Sequence, residues 1–225
     1  MVVAIDGPAG SGKSTIAKLL AQRLKDREGR GFSYINSGNL YRAITLGCLE
    51  AGIDPTDSER VIAFAKGVHI EYREDRVLLN GRDVTDDLHT DEIDRWSAPL
   101  SANIPVRHIV NDFIRSIANA TGSGGVSNAV VEGRDMTTVV FPNAEFRFFL
   151  DASAEARALR RYEQGVSKLS LEEIQTAIAR RDEIDRNKAE GSLTIAPGVS
   201  YIDTSGLTIN QVYDILEKEI RQENQ

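Results

Sequence analysis

Gly7-Pro8-Ala9-Gly10-Ser11-Gly12-Lys13-Ser14-Thr15 satisfies the spacing G-x-x-x-x-G-K-[ST], and each of its fixed positions has a use toward phosphate. The glycines let successive backbone N–H groups converge on one anion, and a helix opening at the end of the loop adds its positive pole. Lys13 is placed to reach the β- and γ-phosphates of a nucleoside triphosphate, and the Ser14 hydroxyl to hold Mg²⁺. A second group of residues bears on where the phosphate goes. Arginines are dense near strand and helix ends: Arg42, Arg107, Arg134, Arg157, Arg160, Arg161, Arg180, Arg181 and Arg186. Phosphoryl transfer spreads negative charge over the migrating group and the two oxygens flanking it. Guanidinium groups on a mobile helical segment can neutralise that charge and exclude water. A monophosphate acceptor, with a second pKa near ~6, already offers an anionic oxygen and needs no general base. The chain has no obvious catalytic His or Asp dyad, which fits such an acceptor. Arg42, Arg107, Arg134 and Arg181 read as site residues from their context; Arg160, Arg180 and Arg186 read as solvated helix faces.

These side chains need a frame. Val2 to Ile5 is an apolar run of the kind that forms a buried parallel strand, and Ile16, Ala17, Leu19, Leu20 and Leu24 follow at helical spacing. Lys25 to Gly31 reads as a loop, Phe32 to Ile35 as the second strand, and Asn36 to Arg42 as a small polar turn opening a helix that stops near Gly52. In an open parallel sheet, ligands sit beyond the carboxyl ends of the strands. The two turns therefore share an edge, as two phosphate-bearing ligands facing each other would require. A short helix through about Lys66 precedes a change of pattern. Val68 to Arg73 alternates, Glu74-Asp75 turns, Val77 to Leu79 is extended, and Asn80-Gly81 is a tight-turn signal. Helices around Thr90–Trp96 and from about Pro105 to Ala120 complete an inserted subdomain over about 67–122, with Arg107 in the first turn of the second. Thr121 to Ser127 reads as a flexible linker. Ala129 to Glu132 and Phe146 to Asp151 are further buried strands, with Gly133-Arg134-Asp135 beyond the first; Asp151, at the end of the second, reads as a cap of the helix at Ser153, the alternative being help to Mg²⁺ through water. The helix from Glu155 breaks over Gln164–Ser170, another runs from Leu171 to Lys188, and a last strand and helix span Val199–Asp203 and Thr208–Arg221.

The 225 residues suffice for one large domain with a small insert. A net charge of −7 argues against a nucleic-acid-coating surface, which is usually basic, but not against nucleotides held by local arginines. The single Cys48 excludes an internal disulfide. No run approaches the ~20 apolar residues of a membrane span, and no basic and apolar leader precedes the first strand. The expectation is a cytoplasmic monomer, without membrane or nucleic-acid partners. His69, His89 and His108 lack metal-ligand spacing.

A GTPase base-reading Asn-Lys-x-Asp and a transporter-type Ser-Gly-Gly-Gln are both absent. The chain resembles the bacterial cytidylate kinases over nearly its whole length. The resemblance lies in Ile5 to Ser14, Ser37-Gly38 with Tyr41-Arg42, Leu79-Asn80-Gly81 leading to Val84-Thr85, Pro105-Val106-Arg107, and Gly133-Arg134-Asp135-Met136 with Val139 to Pro142. It continues through Phe149 to Ser153, Arg157/Arg160/Arg161, Arg181-Asp182 and Asp185-Arg186-Asn187. Asn36 stands where the family often has Asp, and Lys188 where it often has Arg. The resemblance implies a P-loop α/β fold, a central parallel sheet flanked by helices. The core spans 1–66 and 123–225, the nucleoside-monophosphate-binding insert 67–122, and a helical lid about 157–188. It implies transfer of the ATP γ-phosphate to CMP or dCMP, with Mg²⁺ accompanying ATP. Gly7 to Thr15 would bind ATP; Lys13, Arg134, Arg157, Arg161 and Arg181 would be catalytic. Arg42 and Arg134 would hold the acceptor phosphate, and Ser37, Gly38 and Tyr41 would lie beside the acceptor. Arg107 and Asp135, with Ser97 or Ser101 and Lys188, would read cytosine, while Arg181 and Asp185 contact pentose and phosphate. Another small P-loop kinase, or a nucleotide-binding regulator without turnover, are the alternative readings.

Overall fold

A computed structural model describes residues 1–28, 32–73, 76–120, 128–165 and 169–222. The chain divides into two compact units, Met1–Phe32 with Val130–Gln225, and Ser33–Ala129. The expected turn at Glu74-Asp75, the linker Thr121–Ser127 and part of the break at 164–170 lie outside the described residues.

In the first unit, β1 (Val2–Asp6) leads through the glycine loop into α1 (Lys13–Glu28). Later come β6 (Ala129–Gly133), a π-helical turn at Met136–Val140, β7 (Phe146–Asp151), α6 (Ala154–Glu163), α7 (Leu171–Arg186), β8 (Ser200–Asp203) and α8 (Ile209–Gln222). The parallel sheet runs β2-β6-β1-β7-β8, where β2 is Ser33–Asn36. The register pairs Val3 with Phe146 and Asp6 with Phe149, then Phe148 with Ser200. Every residue of β1 and β6 is buried, which is why these strands read as continuous apolar runs rather than alternations. α1 runs to Glu28, so Lys25–Glu28 is helix and not loop. Buried Leu24 anchors that turn, and Lys25 and Arg27 suit the negative C-terminal pole.

In the second unit, β2 is followed by α2 (Ser37–Glu50), α3 (Ser58–Gly67), β3 (Ile70–Arg73), β4 (Arg76–Leu79), β5 (Arg82–Asp83), a 3₁₀ turn (Thr85–Asp87), α4 (Asp91–Ala102) and α5 (Ile104–Ala120). β3, β4 and β5 form an antiparallel sheet. Asn80 and Gly81 both have positive φ, 51° and 82°, the backbone of a tight two-residue hairpin turn. A Cβ at Gly47 would stand 2.5 Å from the Phe64 ring, so a glycine lets α2 and α3 close up. α4 is one and a half turns longer than Thr90–Trp96 implied, and passes through Pro99. Burial of Ile93, Ser97 and Leu100 along one face outweighs the proline's lost N–H.

Candidate active site

The loop Gly7–Gly12 connects a buried strand to α1, and its first glycine is there for packing. A Cβ at Gly7 would sit 2.0 Å from the Leu150 carbonyl oxygen, whereas one at Gly12 (φ +90°) would meet nothing within 4 Å. Gly12→Ala is expected to cost only backbone strain of ~1 to 2 kcal/mol. Gly7→Ala must displace β7 and lower the unfolding midpoint distinctly more in thermal denaturation. Equal losses for the two variants would show that the loop does not pack on β7 in this way.

Beside the loop is a cavity of about 550 Å³, lined by Gly10–Ile16, Arg160, Arg161, Gln164, Thr204 and the apolar Leu207, Ile209 and Val212. Pro8, Ala9 and Gly7 form the loop's first half, and Thr15 is exposed on α1. Lys13 is buried, its Nζ donating to the Pro8 carbonyl oxygen at 3.0 Å and lying 4.0 Å from Glu132. Burial first, then the Arg134 and Arg181 cations, lower its pKa to about 7. Ser14 donates from Oγ to Glu132 Oε1 at 2.7 Å. A hydroxyl beside a buried carboxylate is an all-oxygen donor set, which suits a hard divalent cation.

Asp185, buried on α7, is a meeting point of cations. Arg134 Nε donates to it at 2.7 Å, Lys188 Nζ at 2.9 Å, and Arg181 Nε is 3.9 Å away. Burial opposes its ionisation, but Arg134 and Lys188 prevail and hold its carboxyl well below the ordinary carboxylate range. Asp135 is buried at the start of the π-helical turn. Arg157 is buried and engaged: Nε with the Ala152 carbonyl at 2.9 Å, Nη1 with the Ala9 carbonyl at 3.2 Å, and both terminal nitrogens with Asp182 at 3.1 and 2.6 Å. Arg161 is exposed at the cavity. Two expectations need correction. Arg160 is no solvated face: it donates to the Thr204 carbonyl and, at 3.1 Å, to Thr204 Oγ1. Asp151 does not cap α6. Ser153 does, accepting from the Ala156 N–H, while Asp151 accepts from Ala152 N–H and Tyr201. Arg180 and Arg186 are exposed as expected.

In the second unit, Asn36 caps α2 by accepting from the Gly38 N–H, so Ser37, Gly38, Tyr41 and Arg42 occupy the helix's first two turns. Arg42 donates to the Leu88 carbonyl at 2.9 Å and is ion-paired with Asp94. Arg107 is buried, donates to the Ser101 carbonyl at 2.8 Å, and lies 5.9 Å over the Tyr41 ring. Ser97 and Ser101 are buried on α4; their hydroxyls donate to the Asp94 and Ala98 carbonyls at 3.5 and 2.8 Å. No group of three or more metal-ligating His, Cys, Asp or Glu occurs among the described residues, and no helix there is long and apolar enough to cross a membrane.

Sequence reasoning gave no role to Asp6, Glu132, Asp182 or Thr204. Asp6 and Glu132 carry a visible signal: each is an acid closing an otherwise apolar strand. Asp182 and Thr204 carry none, since their partners are set by tertiary packing.

The cytidylate kinase family model matches residues 3–222. A cytidylate kinase of Borrelia hermsii (strain HS1 / DAH) is 42% identical over 221 residues, 97% of either chain. One from Borrelia duttonii (strain Ly) is 40% identical over the same span and shares. One from Caldanaerobacter subterraneus subsp. tengcongensis is 40% identical over 228 residues, 98% of this chain and 96% of its own. With a match that covers nearly all of it, this chain belongs to the cytidylate kinase family.

Proposed function

We propose that this protein transfers the γ-phosphate of ATP to CMP or dCMP, giving CDP or dCDP, and works as a monomer. The carrying observation is within the first unit: a phosphate loop with a buried lysine, and three cations, Arg134, Arg181 and Lys188, gathered at Asp185. A polyanion is received by the one and a second phosphate by the other. The name borne by the relatives, cytidylate kinase, supports the choice of acceptor.

In this reading Gly7 to Thr15 wrap the triphosphate, and Lys13 leaves the Pro8 carbonyl to follow the migrating charge. Ser14 and Glu132 are the residues that would hold Mg²⁺, and the ion would supply neutralisation of the triphosphate's charge. Arg134 and Arg181 hold the acceptor phosphate, Asp185 fixing their orientation. Arg42 is the second unit's candidate for binding a phosphate, exchanging the Asp94 carboxylate for the anion. The acceptor oxygen is anionic at neutral pH, so attack needs positioning rather than a base. Arg161, at the cavity, closes on the donor. Asp135 accepts from the exocyclic amine of cytosine, and Arg107 donates to its O2 or N3. Uracil presents a carbonyl where that amine would be, which a fixed carboxylate rejects.

An ADP-release assay across CMP, dCMP, UMP, AMP and shikimate tests the reading. Turnover is expected with the cytidine nucleotides. Fast turnover with UMP but not CMP would defeat the base-reading roles, and none with any acceptor would favour a regulator. Asp135→Ala is expected to lower kcat/KM for CMP by roughly ten- to a hundredfold, the weight of a buried charged hydrogen bond. ATP affinity should stay within threefold; equal losses for both nucleotides would contradict its role.

A further inference from the structure

We propose that Asp6 is a positioning residue for Arg134 and Asp135, capping from a neighbouring strand the turn that those two residues open. The proposal rests on the acceptor reading above. The chain leaves β6 at Gly133 and enters the π-helical turn at Met136. That turn is closed by Val140 N–H to the Asp135 carbonyl at 3.1 Å and Phe141 N–H to the Met136 carbonyl at 2.8 Å. The first N–H groups of any helical turn lack partners within it, and the residue at the cap position ordinarily supplies one from its own side chain. Asp135 occupies that position and is of the right type, yet makes no capping bond. Asp6 supplies the caps instead. Its Oδ1 accepts from Met136 N–H at 2.8 Å, and its Oδ2 from Thr137 N–H at 2.7 Å and Thr137 Oγ1 at 2.6 Å.

Two consequences follow. The Asp135 side chain has no share in capping its own turn. The backbone that carries Arg134 and Asp135 is fastened to the residue directly before Gly7, so acceptor-side groups are held in register with the triphosphate loop. π-turns concentrate at functional sites, where they redirect side chains. The location is costly. Asp6 is fully buried, and burial, with Asp135 nearby adding to it, raises its pKa from 3.8 to about 6 against the pull of its three hydrogen bonds. Between those values the native state holds a proton that the unfolded chain has released, so stability falls as pH rises through that window. The ionised carboxylate is therefore retained for its geometry.

Thr137→Val, Thr137→Ser and Asp6→Asn, compared with wild type, test this by steady-state kinetics, affinity for a non-hydrolysable ATP analogue, and unfolding midpoint. Thr137→Val removes one donor and is expected to raise the acceptor KM three- to tenfold, with the analogue's affinity within twofold. Thr137→Ser keeps the hydroxyl and restores the acceptor KM to within twofold of wild type. Asp6→Asn sets an amide against the Thr137 N–H and is expected to raise the acceptor KM at least tenfold; should it fail to fold, the Thr137 pair decides. An unchanged acceptor KM in Thr137→Val, or acceptor and donor constants that shift by one common factor, overturns the proposal while leaving the kinase reading intact. A wild type that phosphorylates no nucleoside monophosphate overturns the kinase reading, and this inference with it.

Discussion

Replacing Lys13 with methionine is expected to cut kcat by ~10²- to 10³-fold, the usual effect of removing one donor aimed at developing charge. The fold should survive. Methionine fills a similar volume, and the substitution forfeits one hydrogen bond, to the Pro8 carbonyl, and the 4.0 Å ion pair with Glu132, while sparing the protein a buried cation. The pH behaviour separates this role from a structural one. Native Lys13 titrates at about 7 rather than 10.5 because it is buried and faces Arg134 and Arg181, with Glu132 and Asp185 only partly compensating. Between those pH values the unfolded chain carries a proton that the native state has lost, so wild-type stability gains with rising pH, and the Lys13→Met protein lacks that gain. A bound triphosphate reverses the balance, since its charge favours the ammonium form. At pH 8, ATP binding to wild type should take up protons, and binding to the variant markedly fewer. Calorimetry in two buffers of different ionisation enthalpy measures this. Equal uptake by both proteins would place the titrating group elsewhere.

The parts of this molecule that sequence made legible are those determined locally. The run Val2–Ile5, the glycine spacing and the helix after it require no distant partner to be recognised, and the structure has strand, loop and helix where they stand. Asn80-Gly81 identified its hairpin because only such residues adopt that backbone cheaply. Arg181 and Asp185 lie one turn apart on α7 and Lys188 just beyond its end, at spacings of four and three residues that the sequence displays. What escaped was set by packing over long sequence distances. Nothing near Asp6 signals a bond to residues 130 and 131 positions away. The resemblance alone singles out Arg157, and nothing in the sequence pairs it with Asp182, 25 residues on. The helix read around Thr90–Trp96 continues through Pro99 to Ala102, because the buried face of α4 outweighs the proline's poor propensity. Arg160 misled for the same reason: its partner Thr204 lies in a loop 44 residues later.

Removing the Asp185 carboxylate is the second large perturbation. Arg134 and Lys188, both mostly buried, would lose their shared anion and face each other and Arg181 without it. Breaking one partner of a buried ionic cluster typically costs ~3 to 5 kcal/mol, because the desolvated charges remain. Asp185→Asn is therefore expected to lower stability by that order in urea unfolding at pH 7. The sign with pH is fixed by the depressed pKa of the wild-type group: its contribution is fully present above the unfolded carboxylate pKa and is lost progressively as pH falls below it. The stability gap between wild type and variant should hold from pH 7 to about 5 and narrow below about 4. Activity and anion binding should part company. Cations without their carboxylate attract phosphate more strongly but hold it in the wrong place. The variant's unfolding midpoint should then rise more than that of wild type on adding inorganic phosphate, while its kcat with CMP falls about a hundredfold, as misplacement at a reacting centre generally costs. A variant as stable as wild type, or one that phosphate fails to rescue, would mean that Arg134, Arg181 and Lys188 do not depend on Asp185 for their place, and the second phosphate site would have to be sought elsewhere in the first unit.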